Sequence, residues 1–150
     1  MNEFKPFDDR LAGLIAALSP VSRRRMAADI AKKLRTSQQR RIKMQKAPDG
    51  TPYAARKRQP ARAKKGRVKR EMFVKLRTNR FMKATGRDDA AVVEFAGKVQ
   101  RMAKVHQFGL KDRPNPHSED IQYPKRQLLG INRKNELLIE GLIAEYLVQV

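Results

Sequence analysis

Two short apolar stretches, each closed by a glycine, decide the fold: Val105-His106-Gln107-Phe108-Gly109 and Tyr123-Pro124-Lys125-Arg126-Gln127-Leu128-Leu129-Gly130-Ile131. Phe108 and the Leu128-Leu129 pair need a core, and the two glycines allow backbone turns with positive φ. Residues 110–120 between them carry prolines, an asparagine and several charges, which is typical of an exposed loop. We therefore expect two short buried segments side by side, joined by a surface loop. Periodicity alone indicates only a generic hairpin-like pair.

Length and composition suit one modest folded domain over residues 1–150. The chain has no cysteine, which excludes a disulfide framework and a thiolate metal site and fits a reducing compartment. No apolar run approaches the roughly 18 residues of a membrane-spanning helix, so we expect no membrane contact. The acidic residues Glu3, Asp8 and Asp9 are unlike a secretory signal.

The positive charge is unevenly distributed along the chain. The formal net charge is +20. Residues 20–87, called here the basic segment, hold 24 Lys and Arg against 3 Asp and Glu, a net of +21, whereas the other residues hold 11 against 12, a net of −1. A basic block of this kind indicates a polyanion partner, an acidic protein partner or a disordered arm.

The N-terminal third predicts two helices. The first covers residues 6–18, because its apolar residues recur with a helical period: Phe7, Leu11, Leu14, Ile15 and Leu18. Ser19 then serves as N-cap and Pro20 as first residue of a second helix that runs to about residue 46, roughly 40 Å long at 1.5 Å per residue. Its apolar stripe is Ala27, Ile30 and Leu34, after which burial fades. We expect its distal half to be solvated or packed against another chain.

The remaining elements predict an α+β fold. Residues 47–53 form a turn around Pro48-Asp49-Gly50, and residues 54–66 a mobile basic loop. A short helix follows at 67–78, then strands at 80–85 and 90–95, and a last helix at 132–147. Residues 97–104 fit either a short helix or more sheet. The prediction is a small antiparallel sheet packed with N- and C-terminal helices, with a long basic helix and loop projecting from the core.

The sequence offers no assembled catalytic or metal site, and we expect no cofactor. The two histidines, His106 and His117, lack a matched carboxylate or a third ligand, and His106 is predicted to make a structural hydrogen bond beside Phe108. Glycine-rich nucleotide-binding motifs and the Gly-x-Ser-x-Gly motif are absent from the sequence. These observations argue against an enzyme.

The basic segment carries the predicted interaction residues. If they met DNA, binding would be nonspecific and strongly salt-dependent. The sequence has no recognisable DNA-reading motif and no aromatic platform among these cations. A nucleic-acid-binding protein and a basic surface that docks on an acidic partner both remain open. The predicted residues are Arg40, Arg41, Arg62, Lys64, Lys65, Arg67, Lys69 and Arg70.

Several sequence pieces, in this order and spacing, make the chain resemble the virion morphogenesis, or tail completion, proteins of contractile-tailed temperate phages. The resemblance covers nearly the whole chain. Its main pieces are Met1-Asn2-Glu3-Phe4-Lys5, Ser19-Pro20, Ser37-Gln38-Gln39-Arg40-Arg41, Lys46-Ala47-Pro48-Asp49-Gly50-Thr51-Pro52-Tyr53, Gly66-Arg67-Val68-Lys69-Arg70, Val105-His106-Gln107-Phe108-Gly109-Leu110 and Tyr123-Pro124 with Arg126 and Leu128-Leu129-Gly130. The positions taken as structural motif are Pro48, Asp49, Gly50, His106, Gln107, Phe108, Gly109, Pro124, Arg126, Leu129 and Gly130.

The resemblance implies a structural rather than an enzymatic role. It implies a virion protein, assembled in the host cytoplasm, that finishes the head-proximal end of the tail and allows head–tail joining. The implied partners are the tail tube protein and the neck or head completion proteins, with transient DNA contact as a further option. It also implies a homo-oligomeric, hexameric ring.

Overall fold

The structure, a computed structural model, describes residues 5–56 and 71–148 and confirms the α+β class. Within those ranges, a 3₁₀ turn at Gly97–Val99 leads directly into the helix that begins at Gln100. The elements in chain order are α1 (Lys5–Ala16), α2 (Pro20–Lys43), β1 (Met82–Gly86), β2 (Ala91–Phe95), α3 (Gln100–Phe108), β3 (Lys111–Asp112), β4 (Ile121–Gln122) and α4 (Arg133–Val148).

The described residues divide into two compact units. The first takes its members from residues 1–35, 84–93 and 133–150, and the second from 36–83 and 94–132. Organisation of residues 1–150 as a single domain stays a prediction. No helix within the described ranges is long and apolar enough to cross a membrane.

The junction between α1 and α2 follows the predicted capping chemistry. The Ser19 hydroxyl accepts a hydrogen bond from the Ser22 backbone N–H at 3.1 Å, and Pro20 is the first residue of α2. Arg23 donates to the carbonyls of Ala16 and Leu18 at 3.2 and 3.0 Å, which satisfies groups left free where α1 ends.

The core of the first unit joins α2, β2 and α4, as the apolar patterns predicted. Its buried members are Leu18, Met26, Ile30, Leu34, Leu142 and Ile143, and Ala91 and Val93 of β2 pack against them. Gly86 ends β1 where no side chain fits, because a Cβ there would lie 2.2 Å from the Ala28 backbone nitrogen. The Tyr146 hydroxyl donates to the Asp29 carboxylate and so ties α4 to α2.

The distal part of α2 differs from its prediction. The helix ends at Lys43, and Gln38 and Ile42 are buried in the second unit, where Ile42 is completely inaccessible to solvent. Burial therefore continues in steps of four residues, from Ile30 through Leu34 and Gln38 to Ile42. The sequence pattern missed it because a glutamine occupies one of the buried positions.

The second unit has its own core, to which the basic segment contributes. The predicted helix at 67–78 is wrong over its described residues, since residues 74–80 form turns and Phe73 has a positive φ of 67°. Residues 67–70 of that predicted helix and residues 57–66 of the predicted loop lie outside the described ranges. Part of the basic segment is thus folded core rather than projection. The buried apolar residues are Ile42, Met72, Leu76, Met82, Phe95, Val99, Ala103, Val105 and Leu128.

The β1–β2 sheet confirms the predicted strands with small shifts, whereas β3 and β4 were not predicted, and β3 lies within the stretch predicted to be an exposed loop. β1 and β2 are hydrogen-bonded neighbours, and the Arg87 N–H donates to the Ala90 carbonyl at 2.8 Å across the turn. So short a connection requires antiparallel strands. α3 resolves the alternatives for residues 97–104 in favour of helix.

Candidate functional site

The two glycine-closed stretches lie side by side, as predicted, and form what we call the hub, residues 105–130 with the segments that contact them. Gly109 ends α3 in the left-handed conformation, with φ of 66°. β3 pairs with β4 in antiparallel register, and the Arg126 N–H donates to the His106 carbonyl at 2.8 Å. The first stretch is the end of a helix, so the pair is not a simple hairpin.

Gln107 joins the two stretches through its side chain. Its Oε1 accepts hydrogen bonds from the backbone N–H groups of Leu128 and Leu129 at 2.8 and 2.9 Å, and its Nε2 donates to the Leu129 carbonyl at 2.8 Å. These three bonds satisfy backbone groups that no regular sheet would satisfy. The Gln107 side chain therefore supplies the hydrogen bonds that a neighbouring strand would otherwise make to this stretch.

Arg41 and Gln38 attach α2 to the same stretch. Gln38 Oε1 accepts from the Gly130 N–H at 3.1 Å, while Arg41 donates to the Gly130 carbonyl at 3.1 Å and to Gln38 Oε1. Burial lowers the pKa of the Arg41 guanidinium. Arg41 thus has a structural role that the sequence pattern did not indicate. Its contact with a partner stays a prediction.

Arg126 is a buried cation that holds the start of the basic loop. Its side chain is only 5% exposed, and it donates to the carbonyls of Ala54 and Ala55 at 2.8 and 3.2 Å. Burial, together with the neighbouring Arg56, lowers its pKa. Charge-assisted bonds to backbone carbonyls offset part of the cost of burying this guanidinium.

The Pro48-Asp49-Gly50 turn packs against the other end of the hub. Gly50 has φ of 89°, and the Asp49 carboxylate accepts from the Thr51 N–H at 2.9 Å, which holds the pKa of Asp49 below its usual value. A Cβ at Gly130 would lie 2.6 Å from Pro48 Cγ, so Gly130 is needed for close approach. The predicted turn is confirmed.

A row of four rings crosses the hub. Tyr53 contacts Phe73, Phe73 contacts His106, and His106 contacts Tyr123, with centroid distances of 5.7, 4.9 and 5.1 Å and edge-to-face geometry. The Tyr53 hydroxyl donates to the Gln127 carbonyl at 2.9 Å, and burial raises the pKa of Tyr53 to about 12. The row ties three separate parts of the chain together.

His106 differs from its prediction in how it is held. Its ring packs between Phe73 and Tyr123, and its buried Nδ1 has no hydrogen-bond partner among the described residues. Burial is the main cause that lowers its pKa, and the cations Arg126 and Arg56 add to that effect. The hydrogen bond predicted for the His106 side chain is not made by Nδ1, and the His106 carbonyl instead accepts the Arg126 N–H.

Phe108 does not enter the core. It is 59% exposed, because it lies on the same face of α3 as Arg101 and Lys104, which are also exposed. The core instead takes Val105 and Leu128. Leu129 is half-buried and contributes mainly its backbone to Gln107, and Pro124 is exposed.

The other predicted interaction residues are only partly visible. Arg40 is exposed on α2, whereas Arg62, Lys64, Lys65, Arg67, Lys69 and Arg70 lie outside the described residues. Sequence reasoning missed Gln45, which follows α2 with a positive φ of 58° and exchanges hydrogen bonds with the backbone of Met72 at 2.8 and 2.9 Å. Only the repeated Gln and Arg around positions 38–45 could have indicated it.

The side chains of the hub serve to hold separate segments of the chain together. Amide, guanidinium and ring groups hold irregular backbone in place, and the imidazole of His106 packs between two aromatic rings. Within residues 5–56 and 71–148, no three His, Asp or Glu side chains group so that they could hold a metal ion.

Comparison with known proteins places the chain. A family model described as the phage virion morphogenesis family matches residues 2–148. The chain belongs to this family. It is also 52% identical over 148 residues to tail completion protein S of Escherichia phage P2, covering 98% of this chain and 99% of that protein. No solved structure matches it. Neither comparison favours the nucleic-acid-binding alternative.

Proposed function

We propose that the chain is a structural tail completion protein, which finishes the head-proximal end of a phage tail so that a filled head can join it. The observation that carries the proposal is the 52% identity, over almost the full length of both chains, to a protein named for tail completion. A resemblance of this extent leaves little of either chain without a counterpart.

The hub supports a structural rather than a catalytic role. Its polar side chains bind backbone: Gln107, Arg41 and Arg126 all bond to carbonyl or N–H groups of the same chain. The half-buried imidazole of His106 packs edge-to-face against Phe73 and Tyr123, and its buried Nδ1 has no hydrogen-bond partner among the described residues. An assembly protein needs a fixed surface, and such a network supplies one.

We further propose that copies of the chain form a ring, a hexamer in keeping with the tail's symmetry, in contact with the tail tube and a neck protein. The net charge of +20 favours partners that carry negative charge, and it opposes close packing of two identical cationic surfaces. Contacts between copies would then use surfaces other than the most basic ones.

The test is to silence this gene in the phage that carries it and to count particles in the lysate by electron microscopy. We expect filled heads and assembled tails that remain separate. Supplying the wild-type chain from a plasmid should restore joined particles.

Two outcomes would contradict the proposal. Normal numbers of joined particles would remove the structural role. Normal tails beside unfilled heads would instead favour a function in handling DNA.

A further inference from the structure

The end of α2 and the residue that follows it expose two cations and one apolar side chain on the same face. Arg40, Lys43 and Met44 are all exposed, and Met44 is 57% accessible. Residues three and four apart on a helix are neighbours, and the Met44 N–H still donates to the Arg40 carbonyl at 3.0 Å, as in a helix. The three side chains therefore form one continuous surface.

A second segment of the same unit carries another exposed cation next to a residue that is hydrogen-bonded to α2. The Gln39 amide donates to Asn79 Oδ1 at 2.6 Å, which brings the Asn79-Arg80 turn against α2. Arg80 is exposed, and its guanidinium lies 5.3 Å from the centroid of the Phe81 ring. We call Arg40, Lys43, Met44 and Arg80 the cationic face.

The described residues leave the charge of this face unbalanced. Within them, no carboxylate pairs with Arg40, Lys43 or Arg80; the ion pairs of this unit instead engage Arg77, Arg101 and Arg113. The C-terminal dipole of α2 favours cations in its last turn. The dipole explains neither an exposed methionine among those cations nor the placement of Arg80.

We propose that the cationic face binds a carboxylate-rich protein surface at the end of the tail. The inference rests on the proposed function and names the chemistry of one partner. Met44 favours a protein over DNA, because protein interfaces are enriched in methionine and arginine, whereas a phosphate backbone offers nothing to an apolar side chain. Arg41 is excluded from the face, since its guanidinium binds the Gly130 carbonyl.

The experiment measures co-sedimentation of the purified chain with tails isolated from a lysate that lacks it. We expect the double variant Arg40→Gln/Lys43→Gln to weaken binding at least tenfold and Met44→Ser two- to tenfold. Binding by the wild type should weaken as salt is raised, since the contact is between charges. Equal thermal unfolding of each variant and the wild type confirms that these exposed substitutions leave the fold intact.

The matched control is Lys98→Gln/Lys104→Gln, which removes two exposed cations of the same unit outside the cationic face. It should bind tails within twofold of the wild type. If both double variants weaken binding equally, the contact depends on net charge alone, and the proposal that the cationic face is the binding surface is wrong. If Arg40→Gln/Lys43→Gln binds tails normally but loses tenfold in binding to a duplex DNA probe, the face recognises phosphate, which also overturns the proposal.

The two proposals fail in distinguishable ways. Tails that do not bind even the wild-type chain would count against tail completion itself. Tails that bind the wild type and Arg40→Gln/Lys43→Gln equally would count only against the cationic face.

Discussion

Two positions in the hub require glycine because other atoms of the chain lie where the Cβ of a larger residue would be. Gly109 combines a φ of 66° with a neighbouring backbone, since a Cβ there would lie 2.9 Å from the Lys125 nitrogen. Gly130 lacks the positive φ that the sequence suggested, and a Cβ there would meet side chains instead, at 2.6 Å from Pro48 Cγ. A side chain at Gly109 would be strained in conformation and would also push against main chain that cannot rotate away.

We predict that Gly109→Ala lowers the free energy of unfolding by about 2–4 kcal/mol, from left-handed strain and steric overlap together. The control is Gly141→Ala in the middle of α4, where a Cβ meets nothing within 4 Å. It should raise the free energy of unfolding by about 0.5–1 kcal/mol through helix propensity. Urea denaturation measures both, and a Gly109→Ala chain as stable as the wild type would contradict the geometry.

His106 gives the fold a pH dependence of defined sign. Its folded-state pKa is lowered, so between that value and the ordinary value near 6.5 the unfolded chain binds more protons than the folded one. Stability should therefore be greatest above the unfolded-state pKa and fall as pH drops through 6.5. The charged groups that face the ring are Arg126, Arg56 and Asp112, and Asp112 alone opposes the shift.

The measurement is the unfolding midpoint in urea between pH 7.5 and pH 5 for two histidine variants. His106→Gln should flatten this dependence, whereas His117→Gln, at an exposed loop position, should leave it as in the wild type. Equal flattening by both variants would mean that His106 is not the group responsible.

At the scale of elements, side chains rather than sheet ladders join α3 to the stretch at 123–130. β3 and β4 are two residues long, too short to hold the pair alone. Gln107 supplies the missing hydrogen bonds, and Arg126 fastens the chain at residues 54–55 to the same stretch. Loss of the Gln107 amide would leave the N–H group of the buried Leu128 without its acceptor, and loss of the Arg126 guanidinium would release the chain at residues 54–55.

Gln107→Met, which keeps the shape of the side chain and removes its polar atoms, should lower the free energy of unfolding by about 2–4 kcal/mol, since two N–H groups lose their acceptor. Gln100→Met is the control, because Gln100 is exposed and donates a single bond of 3.1 Å to the Phe95 carbonyl. It should cost less than about 1 kcal/mol. Similar losses for both variants would show that Gln107 has no special place in the hub.

At the scale of the whole molecule, the sequence predicted those elements whose formation depends on residues close together in the chain. The Ser19-Pro20 cap, the strands around Gly86, the Pro48-Asp49-Gly50 turn and the last helix all follow from propensity and capping, and the structure has them. The side-by-side arrangement of the two glycine-closed stretches also followed from their composition.

The features that sequence missed depend on contacts between distant residues. Ile42 is buried because a stretch some ninety positions away packs on α2 through Gln38 and Arg41, and polar residues at those positions concealed a buried face. Phe108 is exposed because it lies on the face of α3 that carries Arg101 and Lys104, and its apolar character alone did not show this. Phe73 takes a positive φ in the row of rings, a conformation that no helical pattern at 67–78 could reveal.

The most direct test of tail completion is an add-back assay. Tails from a lysate lacking the chain are incubated with purified protein, freed of excess, mixed with filled heads and scored for infectious particles. We predict that treated tails yield infectious particles at least a hundredfold above untreated tails, and that heads treated in place of tails do not. Untreated tails that join heads as well as treated ones would contradict a role in completing the tail.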